Sequence, residues 1–553
     1  MRFLLDIPRN FYDSFSINPV ITEKNRPINK WTFSLLISLS LLLLALRLNG
    51  LNPISSYLWA EDGHIFLPQA KSFGIASLLQ PYADYLHLYP RLVALIANQF
   101  SLIYQPKILF WGWVLAYAFS FSIIIQRAMA VGIGTFSLFG LVFLMLIQPN
   151  QGEVFFTVTN AQWCLGAALC IWVLSSESEQ MSFLSFIGKL PILILLGLTG
   201  PFSLIILPAM FIKAFIFKDI KKNILLYVSV FFCGIIQLLI ILHSNTTSTL
   251  EHLDSLRLWV FAFIHINLFN VNSTFKLTAA ILFWLIFFFS IVRNNKENFK
   301  SKDLILTLLY FFTAELIIFL AGHKCKEYVL LSAGGNRYTW IAYLLILFGV
   351  ALATKRQYFI QCILGILLFF AFYQNYTVLL REDLKFESYA NFSNYKLIDL
   401  PINPPVGKVF PPLHVTAGPV IDKSYLLEQQ KLNLANFTSK SISIKPGHET
   451  GIRLSWSTDN SLLSYTKKIN CDKAKDIGVE MNIQPFSPGF IGFLWSSSEN
   501  LAPEKSFNFW YPAEKVTIHY AFPNHPTGNY IGLNFTSASG SAEINKIIVY
   551  CLP

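Results

Sequence analysis

The stretch KLPILILLGLTGPFSLIILPAMFIKAFIF, residues 189–217, decides the fold, because it is apolar almost throughout and yet interrupted inside the apolar run. The interruptions are two glycines and two prolines, at Gly197, Gly200, Pro201 and Pro208. Both residue types disfavour a helix interior, so the pattern predicts two short half-spans that turn near Thr199. A helix broken at membrane depth needs protein groups or a water-filled cavity to satisfy its freed backbone. The stretch therefore belongs inside a membrane protein.

The composition of the whole chain agrees with this interpretation. Of its 553 residues, 54% are hydrophobic and 13% charged, and the mean hydropathy is +0.50. Soluble domains carry about 25% charged residues. The formal net charge of +11 comes from short basic runs beside apolar segments, which are typical topology signals of membrane proteins. We therefore predict a polytopic membrane protein and no nucleic-acid partner.

The apolar runs predict an α-helical membrane domain with about eleven transmembrane helices. Residues 89–104 are read as a juxtamembrane helix because this run contains Arg91 and Asn98. With that assignment every strongly basic short loop falls on the inside. The predicted spans are 31–48, 108–126, 133–147, 164–174, the two half-spans within 189–217, 224–242, 277–292, 304–321, 340–353 and 359–373. This count places residues 1–30 in the cytoplasm and the C-terminus outside.

The last third of the chain has a different pattern. Residues 31–380 form the predicted membrane domain, whereas residues 381–553 are polar and contain stretches of period-2 alternation, such as KVTIHYAF from Lys515 and NYIGLNFTS from Asn529. Alternation between turn residues predicts a β-sandwich or jelly-roll domain. Cys471 and Cys551 are the two cysteines of this region, which predicts one disulfide in an oxidising compartment. Its aromatic residues Trp456, Trp495, Trp510 and Tyr511 are read as sandwich core, and the alternative is that they stack on an acceptor glycan.

An acidic pair follows the first span in YLWAEDGHIFLPQA, residues 57–70. Glu61 and Asp62 lie among aromatic and apolar residues, which predicts a position at the membrane surface. A carboxylate there can accept the proton of an acceptor hydroxyl as a general base. The alternative is two solvated loop acids.

A second outer loop, residues 148–163, adds Glu153, Asn160, Gln162 and Trp163. It supplies another acid, two amides that suit sugar hydroxyls and an indole face for stacking. The alternative is a helix-capping loop with an interfacial tryptophan.

A third outer loop carries positive charge, although basic residues are usually enriched in the inner loops of membrane proteins. Its residues of interest are Lys324, Lys326, Arg337 and Tyr338. A guanidinium binds phosphate in bidentate geometry, and outside a membrane the obvious phosphate is lipid-linked. The alternative is that these cations extend to lipid headgroups.

This order of features resembles the GT-C superfamily of membrane glycosyltransferases, which includes bacterial O-antigen glucosyltransferases. The similarity covers roughly residues 31–376. Glu61-Asp62 corresponds to the Asp-Glu motif of that superfamily in reversed order, which leaves open which carboxylate is the base. Glu153 corresponds to the second outer-loop acid. GLTGPFSLIILP from Gly197 looks like its short helices, and GGNRYTW from Gly334 looks like a late outer loop whose arginine contacts the carrier phosphate.

The resemblance implies an inverting hexosyltransferase that moves a sugar from a polyprenyl-phosphate donor to a cell-surface glycan, such as the O-antigen of lipopolysaccharide, or to a lipid-linked acceptor. It implies a bacterial inner membrane location with a periplasmic C-terminal domain. No cofactor is certain, and a divalent metal stays open. The implied residues are Asp62, Glu61 and Glu153 for catalysis; Arg337, Lys324, Lys326 and Tyr338 for the donor phosphate; and His64, Arg91, Asn160, Gln162 and Trp163 for substrate.

Two other functions share parts of this pattern. A transporter or flippase for lipid-linked glycans has broken helices and outer basic residues, but it would place charges near the middle of the membrane. A polysaccharide polymerase shares the donor chemistry. A tethered glycan-binding protein would not need eleven spans.

Overall fold

The structure is a computed structural model. It describes residues 30–47, 58–148, 154–175, 183–243, 260, 273–294, 301–325, 337–355, 357–373, 398–400, 402–403, 413–415, 428–447, 451–457, 461–471, 476–486, 489–496, 507–511, 516–523, 530–535 and 540–552. The chain divides into two compact units. The first comprises residues 1–49, 75–93 and 110–379, and the second comprises residues 50–74, 94–109 and 380–553.

The described residues before 374 are mainly helical, and each predicted span coincides with one or more helices. The helices are α1 (Lys30–Arg47), α2 (Leu67–Phe73), α3 (Leu88–Ala97), α4 (Gln105–Ala130), α5 (Thr135–Leu146), α6 (Ala161–Ser175), α7 (Phe183–Gly197), α8 (Phe202–Ile205), α9 (Leu207–Phe217), α10 (Ile220–His243), α11 (Thr274–Asn294), α12 (Ser301–Cys325), α13 (Arg337–Ala353) and α14 (Tyr358–Tyr373).

Four helical segments of the described chain are long and apolar enough to cross a membrane: Leu102–Ala130, Ile220–His243, Thr274–Val292 and Lys302–Ala321. This is fewer than the eleven spans predicted. The remaining predicted spans form shorter apolar helices of 10–17 residues, below the roughly 20 residues that cross a bilayer untilted. The part of the chain that the structure describes thus contains four candidate membrane-spanning helices.

The core of the helical unit is built around α6 and α13. Every residue of α6 is buried, and so are Thr339 to Val350 of α13. A helix that is apolar on all sides belongs in the interior of a bundle. The residues in the first turns of α6 and α13 are therefore held in place by the core.

The predicted break near Thr199 is present. Helix α7 ends at Gly197, the short helix α8 begins at Phe202, and α9 follows from Leu207. Gly200 has a φ of +84°, a left-handed conformation that glycine adopts without steric cost.

The C-terminal region forms a β-rich domain. Its strands are β2 (Ile398–Leu400), β3 (Ile402–Asn403), β4 (Leu413–Val415), β5 (Glu428–Lys431), β6 (Phe437–Lys440), β7 (Ile442–Pro446), β8 (Ile452–Trp456), β9 (Ser461–Tyr465), β10 (Asp476–Pro485), β11 (Gly489–Ser496), β12 (Phe507–Tyr511), β13 (Val516–Pro523), β14 (Tyr530–Phe535) and β15 (Gly540–Leu552).

Two antiparallel sheets make up most of this domain. One has the order β13-β10-β15-β8-β7, with β5 also paired to β15, and the other has the order β12-β11-β14-β9-β6. The two sheets contact each other through Trp456 and Phe535, whose ring centroids are 4.4 Å apart. Trp456 is 4% exposed, so it is a core residue, as predicted. Cys471 and Cys551 form a disulfide, the pairing expected from the sequence.

A short strand precedes the acidic pair. This strand, β1 (Leu58–Trp59), pairs in parallel with β3, with Leu58 opposite Ile402 and Trp59 opposite Asn403. The segment that carries Glu61 and Asp62 lies in the same compact unit as residues 380–553.

Candidate functional site

The acidic pair is buried rather than solvated. Glu61 is 7% exposed and Asp62 is 2% exposed. Both follow β1 directly, and Asp62 begins a π-helical turn, Asp62–Phe66, that leads into α2. Isolated π-helical turns occur frequently at functional sites because they redirect side chains within a helix. The burial argues against two freely solvated loop acids.

His64 lies on this turn and is half-buried. Burial lowers the pKa of His64 below its usual 6.5, and the attraction of Glu61 partly opposes that shift. The imidazole is therefore neutral at neutral pH, so one ring nitrogen can donate a hydrogen bond and the other can accept one.

A second group of predicted residues meets at the first turns of α6 and α13, within the helical unit. The Trp163 indole lies edge-on to the ring of Tyr338, with centroids 5.3 Å apart. Its Nε1 donates to Asn160 Oδ1 at 3.0 Å, and Asn160 Nδ2 donates to Thr157 Oγ1 at 2.9 Å. The Arg337 guanidinium lies over the Tyr338 ring, 5.3 Å from its centre. We call Asn160, Trp163, Arg337 and Tyr338 the aromatic cluster.

The aromatic cluster has the electrostatics of an anion site. Arg337 is the first residue of α13, and Trp163 lies in the first turn of α6. Helix N-termini carry a partial positive charge and favour anions. A fixed guanidinium next to two such termini suits a phosphate better than a neutral ligand.

Gln162 lies beside this cluster and is 4% exposed. Its Oε1 has no hydrogen-bond partner among the residues that the structure describes. A Cβ placed on Gly200 would come within 3.1 Å of that oxygen, so Gln162 faces the helix break. A buried acceptor without a donor costs about 1–3 kcal/mol, and a ligand hydroxyl would relieve that cost.

The helix break itself is held by the segment before α3. Gly200 N donates to Leu86 O at 2.9 Å, and Leu88 N donates to Leu198 O at 3.1 Å. From α10, Gln237 Nε2 donates to Gly200 O at 2.9 Å, and its Oε1 accepts from Leu86 N at 2.9 Å. The backbone groups freed by the break are thus satisfied by protein.

Arg91 lies on α3 and is 1% exposed. Its Nη2 donates to Pro81 O at 3.4 Å, and burial lowers its pKa to about 10, so the guanidinium stays charged at neutral pH. Its assignment to substrate remains a prediction.

His87 was not singled out from the sequence, and it is 1% exposed. The imidazole stacks on Tyr85 at 4.6 Å and packs against Tyr82 at 5.5 Å. The two tyrosines flank a tight turn whose central residues, Ala83 and Asp84, have φ of 51° and 72°. Non-glycine residues in this region are strained, and such strain often occurs at functional sites. The alternation of tyrosine and histidine in YADYLH was the available signal.

A buried ionic network in α9 and α10 was also missed. Lys213 Nζ donates to Asp219 Oδ2 at 2.9 Å and to Tyr227 Oη at 2.8 Å. Tyr227 Oη donates to Asp219 Oδ1 at 2.8 Å, and Asn223 Nδ2 donates to Asp219 Oδ2 at 3.0 Å. Every group has partners, so this network ties the two helices together.

Some predicted site residues are not located. Glu153 and Lys326 lie outside the described residues, and Lys324 lies on α12 without a described side chain. In the part of the chain that is described, no group of three or more His, Cys, Asp or Glu residues is arranged to hold a metal ion.

Comparison with known proteins identifies no relative of the whole chain. No protein-family model and no curated protein matches it. Two carbohydrate-binding modules among the solved structures each match 22% of this chain. The C-terminal CBM6 of LamC, a marine laminarinase from Zobellia galactanivorans, is 15% identical over 98% of its length with a TM-score of 0.18. The apo form of BiXyn10A CBM1 is 10% identical over 96% of its length with a TM-score of 0.16. Likenesses at these TM-scores support no conclusion about fold or ligand.

Proposed function

We propose that the protein is an inverting glycosyltransferase of the GT-C type. It moves a hexose from a polyprenyl-phosphate donor to a cell-surface glycan or a lipid-linked acceptor on the periplasmic face of the bacterial inner membrane. The proposal includes about eleven membrane helices, some of them short or tilted, and a periplasmic β-rich domain.

The observation that carries the proposal is the aromatic cluster. Two loops far apart in the sequence were each predicted to bind substrate, and their residues Asn160, Trp163, Arg337 and Tyr338 lie together at two helix N-termini. A cation, aromatic faces and an unsatisfied amide oxygen on Gln162 suit a sugar phosphate. An ordinary interfacial tryptophan belt would not bring this set together.

The proposed reaction is a direct displacement. The acceptor hydroxyl oxygen attacks the anomeric carbon, and the bond from that carbon to the phosphate oxygen breaks. The acceptor proton passes to Asp62 or Glu61, and polyprenyl phosphate leaves with the electron pair. Arg337 stabilises the charge that develops on the phosphate, which lowers the barrier because the interaction strengthens in the transition state.

The test is sugar transfer by the purified full-length protein, with undecaprenyl phosphate–glucose and other undecaprenyl-phosphate hexoses as donors and released undecaprenyl phosphate as the readout. We expect Arg337→Ala to lower the rate at least about 100-fold. We expect Asp62→Asn or Glu61→Gln to lower it by about 100-fold or more. Lys222→Ala, which removes an exposed cation of α10, should leave it unchanged. Absence of release with every donor, or full activity in all three site variants, contradicts the proposal.

A flippase for lipid-linked glycans is the second candidate, and Glu315 favours it. This acid lies inside the candidate span Lys302–Ala321, and ionisable residues inside membrane helices commonly mark a transport path. Proteoliposomes loaded with a fluorescent lipid-linked oligosaccharide separate the two functions. Movement between leaflets without phosphate release, abolished by Glu315→Gln and kept by Arg337→Ala, would favour the flippase.

A further inference from the structure

The outer face of the larger sheet carries a row of polar side chains across four strands. Gln484 of β10 is opposite Glu543 of β15, Glu543 is opposite Arg453 of β8, and Arg453 is opposite Lys445 of β7. Residues directly opposite each other in antiparallel strands point to the same face. With strands about 4.8 Å apart, the row is about 14 Å long, the length of a short oligosaccharide.

A second row of residues runs beside the first, and its side chains are small. Ser541 of β15 is opposite Ser455 of β8, which is opposite Ser443 of β7. Phe486 follows β10 and donates its backbone N–H to Ser541 O at 3.0 Å. Its ring is 52% exposed, whereas aromatic residues inside the sandwich, such as Trp456, are almost fully buried.

The Arg453 and Phe486 side chains contact each other. The Arg453 guanidinium lies 5.4 Å from the centre of the Phe486 ring, and its Nη2 lies 3.4 Å from Glu543 Oε2. The aromatic face and the charged groups therefore lie next to each other on the same face.

The charges of the two rows do not cancel. Lys445 and Arg453 are positive and exposed, and Glu543 is the one negative group of these rows, already paired with Arg453. The face is therefore complementary to a ligand with negative charge. An aromatic ring, planar groups with two donors or acceptors, and hydroxyls are the groups that recognise sugar rings and their hydroxyls.

We propose that this face, formed by Gln484, Phe486, Glu543, Arg453, Lys445 and the three serines, binds an oligosaccharide that carries carboxylate groups. One sugar packs its C–H face on Phe486, the serines and Gln484 bind hydroxyls, and Lys445 binds a carboxylate. The site does not depend on sugar transfer, because binding needs neither donor nor membrane helix.

The other end of the same outer face cannot serve this role. There Glu480, Ile548 and Tyr550 are 7%, 3% and 4% exposed, and Tyr550 Oη donates to Glu480 Oε2 at 2.6 Å. The accessible part of the face in the described residues is the end that bears Phe486.

The experiment measures binding of acidic oligogalacturonates and of neutral maltooligosaccharides of equal length to the full-length protein in detergent, by calorimetry without donor. We expect the acidic chains to bind and their affinity to fall as salt rises. Phe486→Ala should weaken binding about tenfold, and Lys445→Glu should weaken it and reduce the salt dependence. Lys468→Ala, which removes an exposed cation beyond the other sheet, should bind as the unsubstituted protein does.

Both test variants alter exposed side chains, so thermal unfolding should stay unchanged. Arg453 is not substituted, because its removal would take away the ion-pair partner of the Glu543 carboxylate, and Glu543 is only 3% exposed. No binding of acidic chains, equal binding of neutral chains, or unchanged affinity in Phe486→Ala and Lys445→Glu would each overturn the proposal. If the unsubstituted protein binds the acidic chains but transfers no sugar, the result contradicts the proposed enzyme and still supports this binding site.

Discussion

Replacing Gln237 by leucine should open the helix break between α7 and α8. Gln237 is fully buried, and its amide makes hydrogen bonds of 2.9 Å to Leu86 N, 2.9 Å to Gly200 O and 3.4 Å to Leu86 O. Leucine has a similar volume but no polar atoms. The substitution leaves Leu86 N–H and Gly200 O without their side-chain partner, while Leu86 O keeps the Gly200 N–H.

Each buried group that loses its partner costs about 1–3 kcal/mol, so the two together cost about 2–6 kcal/mol. A tenfold change in an opening equilibrium corresponds to about 1.4 kcal/mol. Exchange of the protected amides at the break should therefore accelerate at least about 30-fold. We expect global thermal unfolding to change less than this local opening, because the rest of the helical core is untouched.

The assay is hydrogen–deuterium exchange with mass spectrometry on the full-length protein in detergent. The peptides to compare contain Leu86–Tyr89 and Leu198–Gly200. The matched control is Ser229→Ala on the same helix, which removes a hydroxyl that bonds only its own helix, at Leu225 O. Unchanged exchange in Gln237→Leu, or an equal increase in Ser229→Ala, would refute the reasoning.

Three further outcomes are expected. Gly166→Ala should lower stability by about 1–3 kcal/mol, because the added Cβ would overlap an aromatic ring of α8; Gly140→Ala, where the space is open, should not, and equal melting temperatures would contradict the packing. Lys213→Met should cost about 3–5 kcal/mol in thermal unfolding, because the buried Asp219 loses its ion pair; a cost below about 1 kcal/mol would show that the pair is dispensable. Since the folded-state pKa of His64 is lowered from 6.5, the unfolded state binds more protons just below pH 6.5, and the free energy of unfolding should fall as the pH drops through that window; His64→Gln should remove this component, and an identical pH profile in the variant would disprove it.

The helices were predictable because apolar runs and their interruptions are local properties. The break near Thr199 follows from glycine and proline chemistry alone, and it was found where predicted. Its partners were not predictable, because Leu86 and Gln237 come from other parts of the chain and look like ordinary residues of their segments. Among the described residues four helices are long enough to span a membrane, fewer than the eleven predicted, since hydropathy does not distinguish a short apolar helix from a long one.

The site was predictable by residue type and not by arrangement. Trp163 and Arg337 were each chosen from separate loops, but the edge-on contact through Tyr338 depends on how α6 and α13 pack. Lys213 and Asp219 were given no role from the sequence, because charge counting does not reveal an ion pair. A lysine inside FIKAFIF, surrounded by apolar residues, was the available sign that it needed a buried partner.

The pairing of β1 with β3 has a consequence for biosynthesis. Ile402 and Asn403 leave the ribosome roughly 340 residues after Leu58 and Trp59. At a translation rate of roughly 5–20 residues per second, β3 is therefore synthesised on the order of tens of seconds after the turn that carries Glu61 and Asp62. A nascent chain that stops short of Ile402 could not complete this ladder, so the pairing beside the carboxylates forms only after residues 402–403 have left the ribosome.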